Sequence, residues 1–312
     1  MRKEYKQTTA IWLGICVIWF ATYAVQLIAL SVVRRTAPDL ADSAVFRILL
    51  STLPIYLVGT PLSLLVFRFA DPIPPLEKRR LPFLAGLGVV AVCFALAVMG
   101  AVVGQSVNRV FSSVTGAPDA NPVDEITRNV PFIVNFLVVA VAAPIMEELV
   151  YRKILIDRLR RYGEIPAVLI SALVFGAIHG NFMQFFYAYL LGAVFGAVYC
   201  ATGKLRYTVA LHMMINGVSM ISSALAVPLL TMENPTAREI LANLPGLLWV
   251  LFLGLLYLAS FIGAPFAAAW LIPRLRPARA TVDLPREKAL RVAFLNPALW
   301  LFLGFVIFLF FT

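Results

Sequence analysis

Long apolar runs alternate with short polar segments along almost the whole chain. A helix that spans a membrane needs about 20 mostly apolar residues, and nine runs approach or exceed that length. They cover residues 9–33, 46–67, 81–105, 131–157, 165–181, 183–201, 205–230, 246–272 and 293–311. The pattern predicts an all-α, polytopic helical membrane protein with about eight or nine spans. We expect residues 1–312 to form a single transmembrane domain.

The connections between these runs are polar, basic or rich in proline. Segments 69–82, 112–129 and 273–291 are predicted to be surface loops. Segment 231–246 is predicted to form a short interfacial helix.

The region 165–201 divides into two short spans if the chain turns at Gly180–Asn181, because asparagine can cap the second helix. Gly176 and Gly180 lie four residues apart and would let another helix approach closely. The Gly192-x-x-x-Gly196 spacing further along is typical of helix packing.

The composition agrees with a membrane protein: 61% of the residues are hydrophobic, 13% are charged, and the mean hydropathy is +0.89. The net charge is +10, and the basic residues cluster in short segments between apolar runs. This distribution favours membrane topology and contact with the lipid bilayer, and nucleic acid is not a predicted partner. Cys16, Cys93 and Cys200 lie inside apolar runs and are predicted to be buried, unpaired thiols.

Lysine and arginine are distributed unevenly over the two sides that these spans predict. If the N-terminus is cytoplasmic, the cytoplasmic segments hold 20 of the 26 Lys and Arg residues, and the other side holds six. Cytoplasmic loops carry an excess of these residues. The count therefore predicts a cytoplasmic N-terminus and an odd number of spans, and we expect a multi-pass protein of the plasma membrane.

A small set of ionisable residues lies inside the predicted spans: Glu147, Glu148 and Arg152 in the fourth, His179 in the fifth and His212 in the seventh. Charges inside a bilayer are costly, so they usually face the protein interior and serve function. The chain has only two histidines, and both belong to this set. We expect a polar pocket between the fourth, fifth and seventh spans.

The spacing within each span places these residues on shared helix faces. Glu148 and Arg152 are four residues apart with the acid first, so they can pair, whereas Glu147 lies about 100° around the helix and can point elsewhere. His212 and Asn216 share a face in the same way.

Three motifs, Glu147-Glu148-x-x-x-Arg152, Phe175-x-x-x-His179 and His212-x-x-x-Asn216, occur in this order on apolar helices. Together they resemble the motifs of the CAAX-protease and bacteriocin-processing (Abi) family of intramembrane endopeptidases, which includes type II CAAX prenyl endopeptidases. The resemblance covers residues 131–220, which we take as the catalytic core. It implies hydrolysis of a peptide bond near the cytoplasmic leaflet, in a membrane-associated peptide or protein.

The resemblance also implies roles for these residues. Glu147 would activate the attacking water as general base, and Glu148 would pair with Arg152 and thereby orient Glu147. His179 would bind a metal ion or position the water. His212 and Asn216 would bind a metal ion or donate hydrogen bonds to the tetrahedral oxyanion.

Metal use stays open at this level. Glu147, His179 and His212 would make a catalytic Zn²⁺ set with water in the fourth position. A metal-free, glutamate-activated water fits the same residues.

Other functions also stay open. A catalytically silent scaffold, such as a bacteriocin-immunity or partner-binding protein, would use these residues to hold a partner. A proton-coupled transporter would use the carboxylates as a relay, although the two halves of the sequence do not match. The sequence has no His-Glu-x-x-His, no Gly-x-Ser-Gly and no intramembrane aspartate pair, which argues against other protease designs.

Overall fold

The computed structural model describes residues 2–71, 73–117, 127, 129–271, 292 and 295–311, and these form helices and loops without a β-strand. The helices are α1 (Arg2–Thr36), α2 (Pro38–Ala41), α3 (Ala44–Phe67), α4 (Phe83–Thr115), α5 (Phe132–Tyr162), α6 (Glu164–Ala177), α7 (Phe182–Thr202), α8 (Leu205–Leu230), α9 (Ala237–Ala242), α10 (Leu244–Leu271) and α11 (Pro297–Phe311). The predicted all-α, polytopic membrane architecture is confirmed.

Seven of these helices, α1, α3, α4, α5, α7, α8 and α10, are long and apolar enough to cross a membrane. The apolar helices α6 and α11 are shorter, with 14 and 15 residues, and they lie where the fifth and ninth spans were predicted. Each of the nine predicted apolar segments therefore contains a helix, while the number that crosses the membrane stays a prediction.

The turn between α6 and α7 lies at Gly180–Asn181, as predicted. Gly180 adopts a φ of 65°, a left-handed conformation that glycine tolerates without steric strain. Asn181 is the N-cap of α7, and its side-chain oxygen accepts a hydrogen bond of 2.9 Å from the Gln184 backbone N–H. This cap fixes the direction in which α7 leaves the end of α6.

The predicted connections agree with the structure in part, since α4 continues to Thr115 and the loop predicted at 112–129 therefore begins four residues too early. The described residues of 69–82 form no helix, and residue 72 lies outside the described residues. Segment 231–246 contains the short helix α9, which begins with a capping box between Thr236 and Glu239. The loop predicted at 273–291 and most of the one at 112–129 lie outside the described residues.

Small residues let α7 pack closely against α6. A Cβ atom at Gly192 would lie 3.1 Å from Cδ1 of Phe175, and one at Gly196 would lie 3.1 Å from Cγ1 of Val168. From the other side, a Cβ at Gly176 would lie 2.8 Å from a backbone carbonyl oxygen of α7. The predicted packing roles of these three glycines are confirmed, and α6 and α7 are held as one unit beside α5.

The largest apolar cluster joins α5, α6 and α7 to α1 and α11. Its most deeply buried members include Leu155 and Ile156 of α5, Val174 of α6 and Ile11 and Ile15 of α1. Cys16 and Cys93 are buried and free, and Cys200 is half-buried and free. Because this cluster surrounds the C-terminal half of α5, the helix that carries the paired glutamates is held from several sides.

Replacing Gly100 by alanine should weaken the contact between α4 and α7. A Cβ at residue 100 would lie 2.5 Å from Cα of Tyr187, so the helices would have to separate, and overpacking of this kind costs about 1–3 kcal/mol. Gly254→Ala in α10 is the matched control, because a Cβ there meets no described atom within 4 Å. Thermal unfolding in detergent should give a lower Tm for G100A only; equal Tm values for the two variants would contradict this packing.

Candidate active site

The paired glutamates lie in a short regular stretch of an otherwise irregular helix. Residues Ala143–Glu148 are α-helical, whereas the flanking stretches Phe136–Ala142 and Leu149–Ile156 are π-helical. A π-helical stretch widens the helix locally and is frequent at functional sites.

Glu148 and Arg152 form a buried, bidentate ion pair, and the predicted pairing is confirmed. Nε of Arg152 donates to Oε2 of Glu148 at 3.0 Å, and Nη2 donates to Oε1 at 3.2 Å. Neither side chain has any exposed surface. A buried pair needs this geometry, since both charges have lost their hydration.

Further groups surround the Arg152 guanidinium. Nη1 donates to the hydroxyl of Ser171 at 3.3 Å, and that hydroxyl in turn donates to the Tyr151 carbonyl oxygen at 2.7 Å. The guanidinium also lies 5.0 Å from the ring centre of Phe175 and 5.8 Å from that of Phe195. Cation–π contacts of this kind strengthen when they are shielded from water.

His212 lies between the two glutamates. Its Nδ1 is 3.0 Å from Oε1 of Glu148, and its Nε2 is 3.6 Å from Oε2 of Glu147. Because a carboxylate can only accept, Nδ1 carries the proton and donates to Glu148. The other ring nitrogen, Nε2, therefore faces Glu147.

His179 has the same tautomer. Its Nδ1 lies 2.8 Å from the Phe175 carbonyl oxygen, which can only accept, so Nδ1 is again the donor. The Phe175 ring packs edge-on against both imidazoles, at 5.2 Å from His179 and 5.7 Å from His212. Phe175 thus links the second motif to the third.

Asn216 connects α8 to the first π-helical stretch of α5. Its Nδ2 donates to the carbonyl oxygen of Val139 at 2.9 Å. An amide nitrogen has two protons, so one N–H of Asn216 is left for another acceptor.

The structure therefore brings the three sequence motifs together on α5, α6 and α8. Two residues that the sequence analysis missed, Ser171 and Phe195, hold Arg152 from α6 and α7. A signal existed for Ser171, a polar residue on an apolar helix one turn before Phe175. No pattern distinguished Phe195 from the other apolar residues of α7.

The predicted Zn²⁺ ligands fit a metal site only in part. Both histidines donate through Nδ1 and present Nε2, the arrangement usual for a histidine that ligates a metal ion. Within the part of the chain that the structure describes, however, no group of three or more His, Cys, Asp or Glu side chains is placed to hold one. Metal dependence stays a prediction.

Residues 129–218 match the family of Rce1-like type II CAAX prenyl endopeptidases. This matched segment contains all three motifs, Glu147-Glu148-x-x-x-Arg152, Phe175-x-x-x-His179 and His212-x-x-x-Asn216. The chain's match with the membrane-embedded CAAX protease MroQ of Staphylococcus aureus (strain USA300) is 28% identical over 126 residues, covering 37% of this chain and 50% of that relative. The chain thus spans about half the length of the curated relative it matches. No solved structure matches it.

Removing one member of the buried ion pair should destabilise the protein strongly. Arg152→Met leaves an unpaired carboxylate at Glu148, which typically costs about 3–5 kcal/mol. The double variant Glu148→Gln/Arg152→Met removes both charges and should recover a large part of that loss. A double-mutant cycle measured by unfolding in detergent tests this, and additive losses would contradict the pairing.

Proposed function

We propose that this protein is an intramembrane endopeptidase in which Glu147 activates a water molecule for attack on a peptide bond. The observation that carries the proposal is the different environment of two adjacent carboxylates. Glu148 is fully buried in its ion pair, whereas the Glu147 side chain is 22% exposed and lies next to a histidine acceptor. The match of residues 129–218 to Rce1-like type II CAAX prenyl endopeptidases supports the same activity.

The facing groups favour a bridging water. With a neutral His212 ring, Nε2 is an acceptor that lies 3.6 Å from the Glu147 carboxylate, so the two groups repel each other unless protons lie between them. A water molecule that donates one proton to each would satisfy both and would keep a lone pair for attack. The Glu148–Arg152 pair holds His212 in the required orientation through Nδ1.

Hydrolysis then follows in two steps. The water oxygen adds to the carbonyl carbon, one water proton passes to Glu147, and the former carbonyl oxygen takes the negative charge. When this tetrahedral intermediate collapses, the C=O bond re-forms, the C–N bond breaks, and Glu147 gives its proton to the leaving nitrogen. If Zn²⁺ is bound, Glu147, His179 and His212 would hold it, and it would supply Lewis-acid activation of the water.

The proposed location is the plasma membrane, with the N-terminus and the basic end of α5 in the cytoplasm. Segments predicted to be cytoplasmic do lie together: Arg161 contacts Glu4 of α1 at 3.5 Å and donates to the Asp71 carbonyl oxygen at 2.6 Å. At the opposite end, Phe111 packs against Phe182 and Phe311. Both groupings support the topology in which these segments alternate between two sides.

Glu147→Gln should abolish cleavage and leave expression intact, because glutamine keeps the shape but cannot accept the water proton; loss of a general base lowers kcat by about 10²–10⁴-fold. Glu77→Gln is the control, since that side chain is 75% exposed and remote from the site. The membrane proteomes of cells with wild-type protein and each variant should be compared for uncut termini. Processing that persists in E147Q would favour the scaffold function.

Metal dependence has a separate test. Metal analysis of purified wild-type protein and of His179→Ala gives the zinc content of each. A zinc site formed by the three predicted ligands predicts about one ion per chain that H179A loses, and activity that a chelator removes and added zinc restores. Activity that withstands a chelator in metal-free protein supports the glutamate mechanism alone.

A further inference from the structure

The chain that follows α3 packs against the C-terminal end of α5. Carbonyl oxygens there accept hydrogen bonds from three arginines of α5. The pairs are Arg158 with Phe67 at 3.2 Å, Arg160 with Pro74 at 2.8 Å and Arg161 with Asp71 at 2.6 Å. Hydrogen bonds from charged donors are stronger than those between neutral groups, so this segment is held firmly beside α5.

A pocket of about 590 Å³ lies between this segment and α5. Its lining residues are Ile73, Pro74 and Pro75 from the segment and Lys153, Ile154, Asp157 and Arg158 from α5. The backbone N–H of Ile73 donates to the Asp157 carbonyl oxygen at 3.1 Å, which ties the two walls together. The pocket therefore combines an apolar part with two cations and one carboxylate.

The carboxylate of the pocket already has its partners. Oδ2 of Asp157 accepts a hydrogen bond of 2.7 Å from Nζ of Lys153, and Oδ1 accepts one of 3.0 Å from the Tyr199 hydroxyl. Oδ1 also lies 3.6 Å from Nη2 of Arg160. One buried carboxylate thus faces two cations without counting Arg158, and the pocket keeps an excess of positive charge.

Arg158 keeps most of its hydrogen-bond donors free. Of the five N–H groups of a guanidinium, Nε donates to the Phe67 carbonyl oxygen and one N–H of Nη1 donates to the Ile154 carbonyl oxygen at 2.9 Å. Its carbon lies 5.2 Å from the centre of the Phe67 ring, so the group is held in place. Within the described part of the chain no carboxylate forms an ion pair with it. A fixed guanidinium with free N–H groups suits the oxygens of a phosphate.

The position of the pocket favours a lipid over a free anion. Phe67 is the last residue of α3, and both α3 and α5 are long and apolar enough to cross a membrane. The pocket therefore lies where two predicted spans end, at the level of lipid headgroups. Leu64, Leu65 and Phe69 are exposed close to Phe67 and give acyl chains an apolar surface. A free phosphate would engage the cations but would leave the apolar wall uncovered.

We propose that this pocket binds the headgroup of an anionic phospholipid, whose phosphate contacts Lys153 and Arg158. Its glycerol and upper acyl chains would pack against the apolar wall. Basic pockets beside spanning helices bind anionic headgroups in this way. The topology proposed above places the lipid in the cytoplasmic leaflet, at the end of the helix that carries the paired glutamates. The inference does not depend on the proposed endopeptidase function.

The test measures lipid binding to protein that is purified in detergent and stripped of lipid. Native mass spectrometry gives the Kd for phosphatidylglycerol and for phosphatidylcholine with the same acyl chains. We expect wild type to bind the anionic lipid more tightly. Lys153→Gln and Arg158→Gln should each weaken that binding about fivefold, the effect expected for one cation near a membrane surface, and should change phosphatidylcholine binding little.

Arg80→Gln is the matched control, because it removes the same charge from an exposed residue that does not line the pocket. R80Q should bind phosphatidylglycerol as wild type does. An equal loss in R80Q and K153Q would show only a general attraction to positive charge and would overturn the proposal, as would equal affinity of wild type for the two lipids. Lys153 is half-exposed, so K153Q decides the question even if R158Q does not fold.

Inorganic phosphate and glycerol 3-phosphate distinguish a lipid from a free anion. Each is compared with phosphatidylglycerol for its effect on the Tm of wild type and of K153Q, and gel filtration confirms that both proteins are folded. We expect only the lipid to raise the Tm of wild type, and to raise that of K153Q less. If either soluble phosphate raises the wild-type Tm as much as the lipid does, the pocket is a site for free anions and the lipid assignment is wrong.

Discussion

The buried ion pair of Glu148 and Arg152 is the interaction on which the rest of the site depends. Two charges without exposed surface are expensive inside a membrane protein, and they persist here because almost every polar atom has a partner. Ser171, two aromatic rings and His212 complete the set around them. These partners come from α6, α7 and α8, so the pair on α5 can form fully only when the four helices pack together.

This pair also explains how two adjacent glutamates acquire different chemistry. Glu148 is committed to Arg152 and His212, whereas Glu147 keeps an accessible carboxylate and faces Nε2 of His212. Contacts at Nδ1 orient both imidazole rings, to Glu148 for His212 and to the Phe175 carbonyl oxygen for His179. The second N–H of Asn216 is left for a further acceptor.

The region that matches the family, residues 129–218, contains α5, α6, α7 and part of α8, and it carries every group of the site. Helices outside that region determine how closely these four can pack. Gly100 of α4 packs against the backbone of Tyr187 in α7. Residues of α1 and α11 pack against the C-terminal half of α5. The residues of the candidate site and the helices that pack around them thus lie largely in different parts of the chain.

The sequence alone determined the all-α membrane architecture, the turn at Gly180–Asn181 and the Glu148–Arg152 pair, because helical periodicity, capping and i, i+4 pairing are local. It also singled out Glu147, His179, His212 and Asn216, since polar groups are rare in apolar spans. Only the tertiary structure decided that Ser171 and Phe195 enclose Arg152 and that His212 faces both glutamates. Those contacts join separate helices, and the orientation of one helix toward another depends on packing that no local pattern encodes.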